Sequence, residues 1–300
     1  MAMVADLKWQ VPRERWRSLR HQLGRFVRSS PVGAVSAVIL ILIGAMAIFA
    51  AALAPHGPLE QRYAIALPPT GEHPLGTDFV GRDVLRRIIY GARITLVVAI
   101  ISTVLGDVIG FVWGIVTGYV GGRFDLISQR LLDILLAFPS IILALLLMGG
   151  MGAGLKTVII AIAVTRIPSM TRVIRSVTIS VREYAFVEAA RASGASPLRI
   201  LVRHIAPQTV APMLVMLTLN FGSAVFAESS LSFLGVGVPP PTATWGAMLG
   251  GVLTERFQPP WWLMVFPGVM ITITILTANL FGDALRDFLD PTMKRQIDAV

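Results

Sequence analysis

The chain contains no cysteine. No disulfide framework and no thiolate metal site can therefore be built from it. Charge is also scarce. Only 14% of the residues are charged, against about 25% in soluble domains. There are four histidines, His21, His56, His73 and His204, scattered outside the apolar runs, so a metal site made from them is not expected. No Gly-x-x-x-x-Gly-Lys-Ser/Thr phosphate loop occurs. The segment Gly76-Thr77-Asp78-Phe79-Val80-Gly81-Arg82-Asp83 has the glycine spacing without the Lys-Ser/Thr pair. No His-Glu-x-x-His and no serine–base pair stands out, so no catalytic or cofactor-binding residue is assigned. No Pro/Gly/Ser-rich linker divides the chain. It reads as a polar tail over 1–31 followed by one domain over 32–300.

What is abundant is apolar. Hydrophobic residues make up 55% of the sequence, and the mean hydropathy is +0.73. The solvent for such a surface is lipid, and the fold class is all-α integral membrane. The net charge of +9 is placed at the ends of apolar runs, as in membrane proteins that fix their orientation, so nucleic acid is not an expected partner. The run 32–53 carries no charge and is long enough for a hydrocarbon core that needs about 20 helical residues. It ends in Ala51-Ala52-Leu53-Ala54, which resembles a cleavage site, but it exceeds the apolar core of about 7–15 residues of a signal peptide. Five more spans follow at about 94–119, 126–149, 155–174, 209–234 and 261–282. An arrangement with both termini in the cytoplasm puts 18 basic residues inside and 7 outside, which fits the positive-inside rule. Trp261 and Trp262 fall where an aromatic belt would lie, and Val238-Pro239-Pro240-Pro241 predicts a rigid outer turn.

The loop over 183–207 predicts an elbow. Tyr184 to Ser193 favours helix, and Gly194 suits a left-handed stop. Ser196-Pro197 suits the start of a second helix. Leu198, Leu201, Val202 and Ile205 give that helix an apolar stripe, and Pro207 closes it.

Glu188-Ala189-Ala190, Gly194 and Pro207 resemble in type and spacing the "EAA loop" of permeases of bacterial ABC importers, with Ala206 in place of the usual leucine. His73-Pro74-Leu75-Gly76-Thr77-Asp78, Gly81-Arg82-Asp83, Asp133 to Pro139, Glu228 to Gly235, and Gly282 to Asp287 with Asp290-Pro291 are similar to the dipeptide/oligopeptide branch, nearest its C-type subunit. The resemblance implies a six-helix type I permease in the bacterial cytoplasmic membrane. It also implies partners: a homologous second permease, two cytoplasmic ATPase subunits and an outer peptide-binding protein. ATP and Mg would belong to the ATPases. Glu188, Ala189, Ala190, Arg191, Gly194, Arg199 and Pro207 would form the coupling contact. Short peptides are the expected cargo, with nickel or glutathione as alternatives within the family. An ion-coupled secondary transporter and a membrane peptidase are the rival classes.

Asp107, Asp133, Arg166 and Glu228 lie within spans. A central charge costs at least about 2.5 kcal/mol on insertion scales, so each must face the bundle or a wet cavity. They read either as pathway lining or as internal partners. Asp133 and Arg166 are at similar depth in neighbouring spans and are expected to pair. Gly106, Gly110, Gly114, Gly118 and Gly122 recur at every fourth residue and predict a smooth ridge for close helix packing.

Overall fold

The computed structural model describes residues 24–255 and 259–289. Lys8 to Arg20, His21, Arg256, Asp290-Pro291, Lys294 and Arg295 lie outside these residues. Every regular element described is helical. The first span is α1 (Pro31–Ile48), with Pro31 at its first turn, and a short α2 (Ala50–Leu53) follows. The second is α3 (Val84–Val120), the third is α4 (Gly122–Leu136) with α5 (Ser140–Met151), and the fourth is α6 (Leu155–Arg182). The elbow is α7 (Ala185–Ala192) and α8 (Pro197–Ile200), and a π turn (Leu201–Ile205) leads into the fifth span, α9 (Ala206–Phe233). A further helix α10 (Trp245–Glu255) precedes the sixth span, α11 (Trp261–Leu289).

Among the described residues five helices are long and apolar enough to cross a membrane, and the bent pair α4–α5 makes a sixth crossing if it is one span. The expected continuous third span is broken. The pair bends by 90° at Ala137-Phe138-Pro139, because the residue before a proline is driven out of the helical region.

The second span begins ten residues earlier than the hydropathy predicts. Its outer turns carry Arg86 and Arg87, which depress hydropathy, yet Asp83 caps the helix by accepting from the Arg86 backbone N–H at 3.0 Å. A helix of 37 residues is about 55 Å long at 1.5 Å per residue. It projects well beyond a core of ~30 Å. The outer loop wraps this projection: Arg86 pairs with Glu60 at 2.6 Å, and the His73 ring contacts Asp83 at 2.9 Å. Gly76 and Gly81 have φ of +76° and +74°, which explains glycine there without a phosphate-binding role.

The glycine ridge is an internal interface between α3 and α6. A Cβ added at Gly110 would meet the Ile167 carbonyl at 2.8 Å; one at Gly114 would meet that of Thr171 at 2.7 Å. Gly106 approaches the Ala163 carbonyl and Gly118 approaches Thr178 in the same way. Gly122 is not part of the row. It has nothing within 4 Å and a φ of +60°, so it serves the turn between α3 and α4.

Candidate functional site

The elbow is built as two surfaces. Gly194 takes φ +78°. The Ala195 N–H bonds the Ala190 carbonyl at 3.1 Å, closing the end of α7, as a left-handed stop requires. Ser196 caps the next helix by accepting from the Arg199 N–H at 3.4 Å, with Pro197 at its first position. Val187, Ile200 and Ile205 are buried against Val181 at the inner end of α6. Arg182 donates to the Gly118 carbonyl at 3.2 Å and ties the same region to the end of α3.

The outward surface differs from the expected one. Leu198 and Val202 do not form a buried stripe with Ile205; they are 70% and 60% exposed. The inward position belongs to Ile200, which the sequence reading passed over. Tyr184 and Phe186 are exposed too, with ring centroids 5.7 Å apart. Glu188, Ala189, Arg191, Gly194 and Arg199 are exposed as well, and Ala190 is half-buried. The elbow thus presents apolar side chains, charges and small residues together, fixed from behind by a packed seam.

Pro207 does not close the second helix. It lies in the first turn of α9. The preceding π turn joins the Ala206 N–H to the Leu201 carbonyl. A wide turn lets the helix pass a residue that has no N–H to donate. The elbow's second half and the fifth span therefore form one helix, Pro197–Phe233, of 37 residues.

The four charges within the spans are not gathered into one site. Asp107 is buried on α3, and Asn220 of α9 donates to its Oδ1 at 2.7 Å. Arg166 lies near enough to act on Asp107 electrostatically, but it donates to the Ser223 carbonyl at 3.1 Å. The expected Asp133–Arg166 pair is absent. Asp133 bonds Arg172, with Arg130 at 3.7 Å. The break at Phe138-Pro139 ends α4 one turn after Asp133, so depth counted along an unbroken helix was misleading. Glu228 is fully buried and accepts from Ser232 at 2.8 Å, with Ser229, Thr95 and Thr244 as further hydroxyl partners. Those groups come from α9, α3 and the outer loop, so Glu228 is a tie between elements.

Asn220 and Trp245 were missed by the sequence reading, which weighed only ionisable residues inside the spans. A lone amide in an apolar helix is a signal of an interhelical hydrogen bond. Trp245 is fully buried and donates to the Ile88 carbonyl at 3.0 Å, docking α10 on α3.

Residues 110–295 match the family model described as binding-protein-dependent transport system inner membrane component. The chain belongs to this family. The permease also matches, over residues 14–69, a model of the N-terminal transmembrane domain of oligopeptide transport permease C. It is 37% identical to the dipeptide transport system permease protein DppC of Bacillus subtilis, over 90% of this chain and 85% of that one. It is 38% identical to the glutathione transport system permease protein GsiD of an Escherichia coli strain, over 91% of each. Its fold is that of a chain in the MetNI methionine ABC transporter, with a TM-score of 0.56, 21% identity and coverage of 69% of this chain and 98% of that one. The permease is thus a multi-pass inner-membrane protein and a transport subunit. The family match takes in the whole elbow and the spans joined to it.

Proposed function

We propose that the permease forms part of the pathway of an ATP-driven importer of short peptides, with its elbow seated on a cytoplasmic ATPase subunit. The two termini lie in the cytoplasm in this reading. The partners are a second, homologous permease, two ATPase subunits that hold ATP and Mg, and an outer protein that delivers the peptide. The observation that carries the reading is the continuity of the elbow with the fifth span. A partner that moves Pro197 moves one end of a continuous helix reaching to Phe233, so closure of the ATPases is carried into the membrane along that helix. That is a population shift between two packings, biased by nucleotide. The relatives named for dipeptide and glutathione transport support a short peptide as cargo.

The test is uptake of labelled dipeptides, oligopeptides and glutathione by cells with and without the permease, repeated with Gly194→Val. Nothing lies within 4 Å of a Cβ at Gly194, so the change acts through its φ of +78°, which costs a non-glycine residue roughly 1–2 kcal/mol. Uptake should be lost in Gly194→Val while the permease still inserts, and the ATPases should lose their stimulation by loaded binding protein. Full transport by a well-inserted Gly194→Val permease would contradict the coupling role. Absence of any permease-dependent peptide uptake would contradict the cargo.

A further inference from the structure

A second built site lies on the outer face, away from the elbow. It is a cavity of about 190 Å³ between the first outer loop, the outer turn at Pro241 and Thr242, and Met248 of α10. The cavity is lined by Arg87, whose side chain is 9% exposed. A guanidinium carries five N–H donors and no acceptor, and here one of its nitrogens, Nη1, is buried with no hydrogen-bond partner among the described residues. Asp78 Oδ2 lies 3.5 Å from that nitrogen, a long ion pair that makes no hydrogen bond, and the carboxylate is already engaged. Its Oδ2 accepts from Arg82 Nε at 2.7 Å, and its Oδ1 accepts from the backbone N–H groups of Val80 and Arg82. Among the described residues two arginines face this one carboxylate, which leaves one positive charge over.

A buried donor without an acceptor costs about 1–3 kcal/mol, more for a charged group. Guanidinium matches carboxylate, which it binds with short charge-assisted bonds. Size limits the ligand. Pockets for drug-sized molecules run from about 300 to 1,000 Å³, so this one admits a single side chain and not a peptide. We propose that the cavity receives one acidic side chain of the outer protein that delivers the cargo, with the carboxylate seated on Arg87. The identity of that partner rests on the function proposed above. The carboxylate chemistry does not.

The experiment uses the permease complex in nanodiscs, in three forms: unaltered, Arg87→Gln, and Thr242→Trp, which adds bulk to the cavity lining and leaves the guanidinium in place. Glutarate is the carboxylate probe and glutaramide its neutral control. Glutarate should raise the Tm of the unaltered complex and of neither variant, and glutaramide should raise none. The delivering protein should bind both variants at least tenfold more weakly, with ATPase activity at saturating delivering protein unchanged. Glutarate should compete with that protein only on the unaltered complex. Equal affinity for the delivering protein in all three forms would overturn the docking role, even where glutarate still protects, because the occupant would then be a free small anion. Protection absent from every form, or equal in all of them, would overturn the carboxylate site. Loss of peptide uptake as an activity, with these affinities as expected, would overturn the cargo and leave the site standing.

Discussion

Asn220 donates a 2.7 Å hydrogen bond to Asp107 at a fully buried position, joining the fifth span to the second. The other carboxylate oxygen of Asp107 has no hydrogen-bond partner among the described residues. The carboxylate is held by one amide and the field of Arg166. Replacing Asn220 by leucine removes the one hydrogen bond this carboxylate makes among the described residues.

Asn220→Leu should therefore destabilise the permease by about 1–3 kcal/mol, the cost of a stranded buried polar group. Asp107→Leu should do comparable damage, and the double change should cost less than the sum, since neither group is then left unpaired. Thermal unfolding in detergent gives the cycle. Additive losses would mean that the two residues stabilise the bundle independently.

The α3–α6 interface gives a sharper steric prediction. Gly114 sits against the Thr171 carbonyl and the Ile174 side chain, whereas Val112 is 55% exposed. Overpacking a close interface costs about 1–3 kcal/mol or more. Gly114→Leu should lower the melting temperature and the yield of assembled complex, and Val112→Leu should leave both near the original. Equal behaviour of the two variants would contradict the interface.

Asp133 should couple to Arg172 and not to Arg166. Contacting pairs show interaction energies of about 0.5–3 kcal/mol, while distant residues add within roughly 0.3–0.5 kcal/mol. Both side chains of the Asp133–Arg172 pair are about half exposed in the single chain, so the lower end of that range is expected. Two double-mutant cycles, Asp133→Asn with Arg172→Gln and Asp133→Asn with Arg166→Gln, distinguish the cases. Coupling in the second cycle and not in the first would contradict the geometry.

The departures from the sequence reading have local causes. The spans were legible because their apolar runs match the thickness of lipid, and Gly194 and Ser196-Pro197 were legible because each has a specific backbone role. The early start of α3 was hidden because Arg86 and Arg87 lower the hydropathy of a stretch that folds as helix once Asp83 caps it and Glu60 pairs with Arg86. The bend at Pro139 was hidden because a 24-residue apolar run looks like a single crossing. Pro207 misled because a proline stop was assumed where a π turn absorbs the missing donor. The faces of α8 were misjudged because the buried seam is set by contact with α6, and periodicity within a short helix cannot report which side a neighbour occupies. Asp107 found its partner 113 residues away, a distance that local pattern cannot bridge.

The central claim is that the exposed face of the elbow touches an ATPase subunit. With no native cysteine in the chain, a single cysteine can be placed at Leu198, which is 70% exposed, and a short bifunctional cross-linker applied to the purified complex. Leu198→Cys should cross-link to the ATPase subunit, with a yield that changes when ATP is added, and Val112→Cys on the outward face of α3 should not. A Leu198→Cys permease that assembles and transports but never links to the ATPase, under any nucleotide condition, would contradict the account.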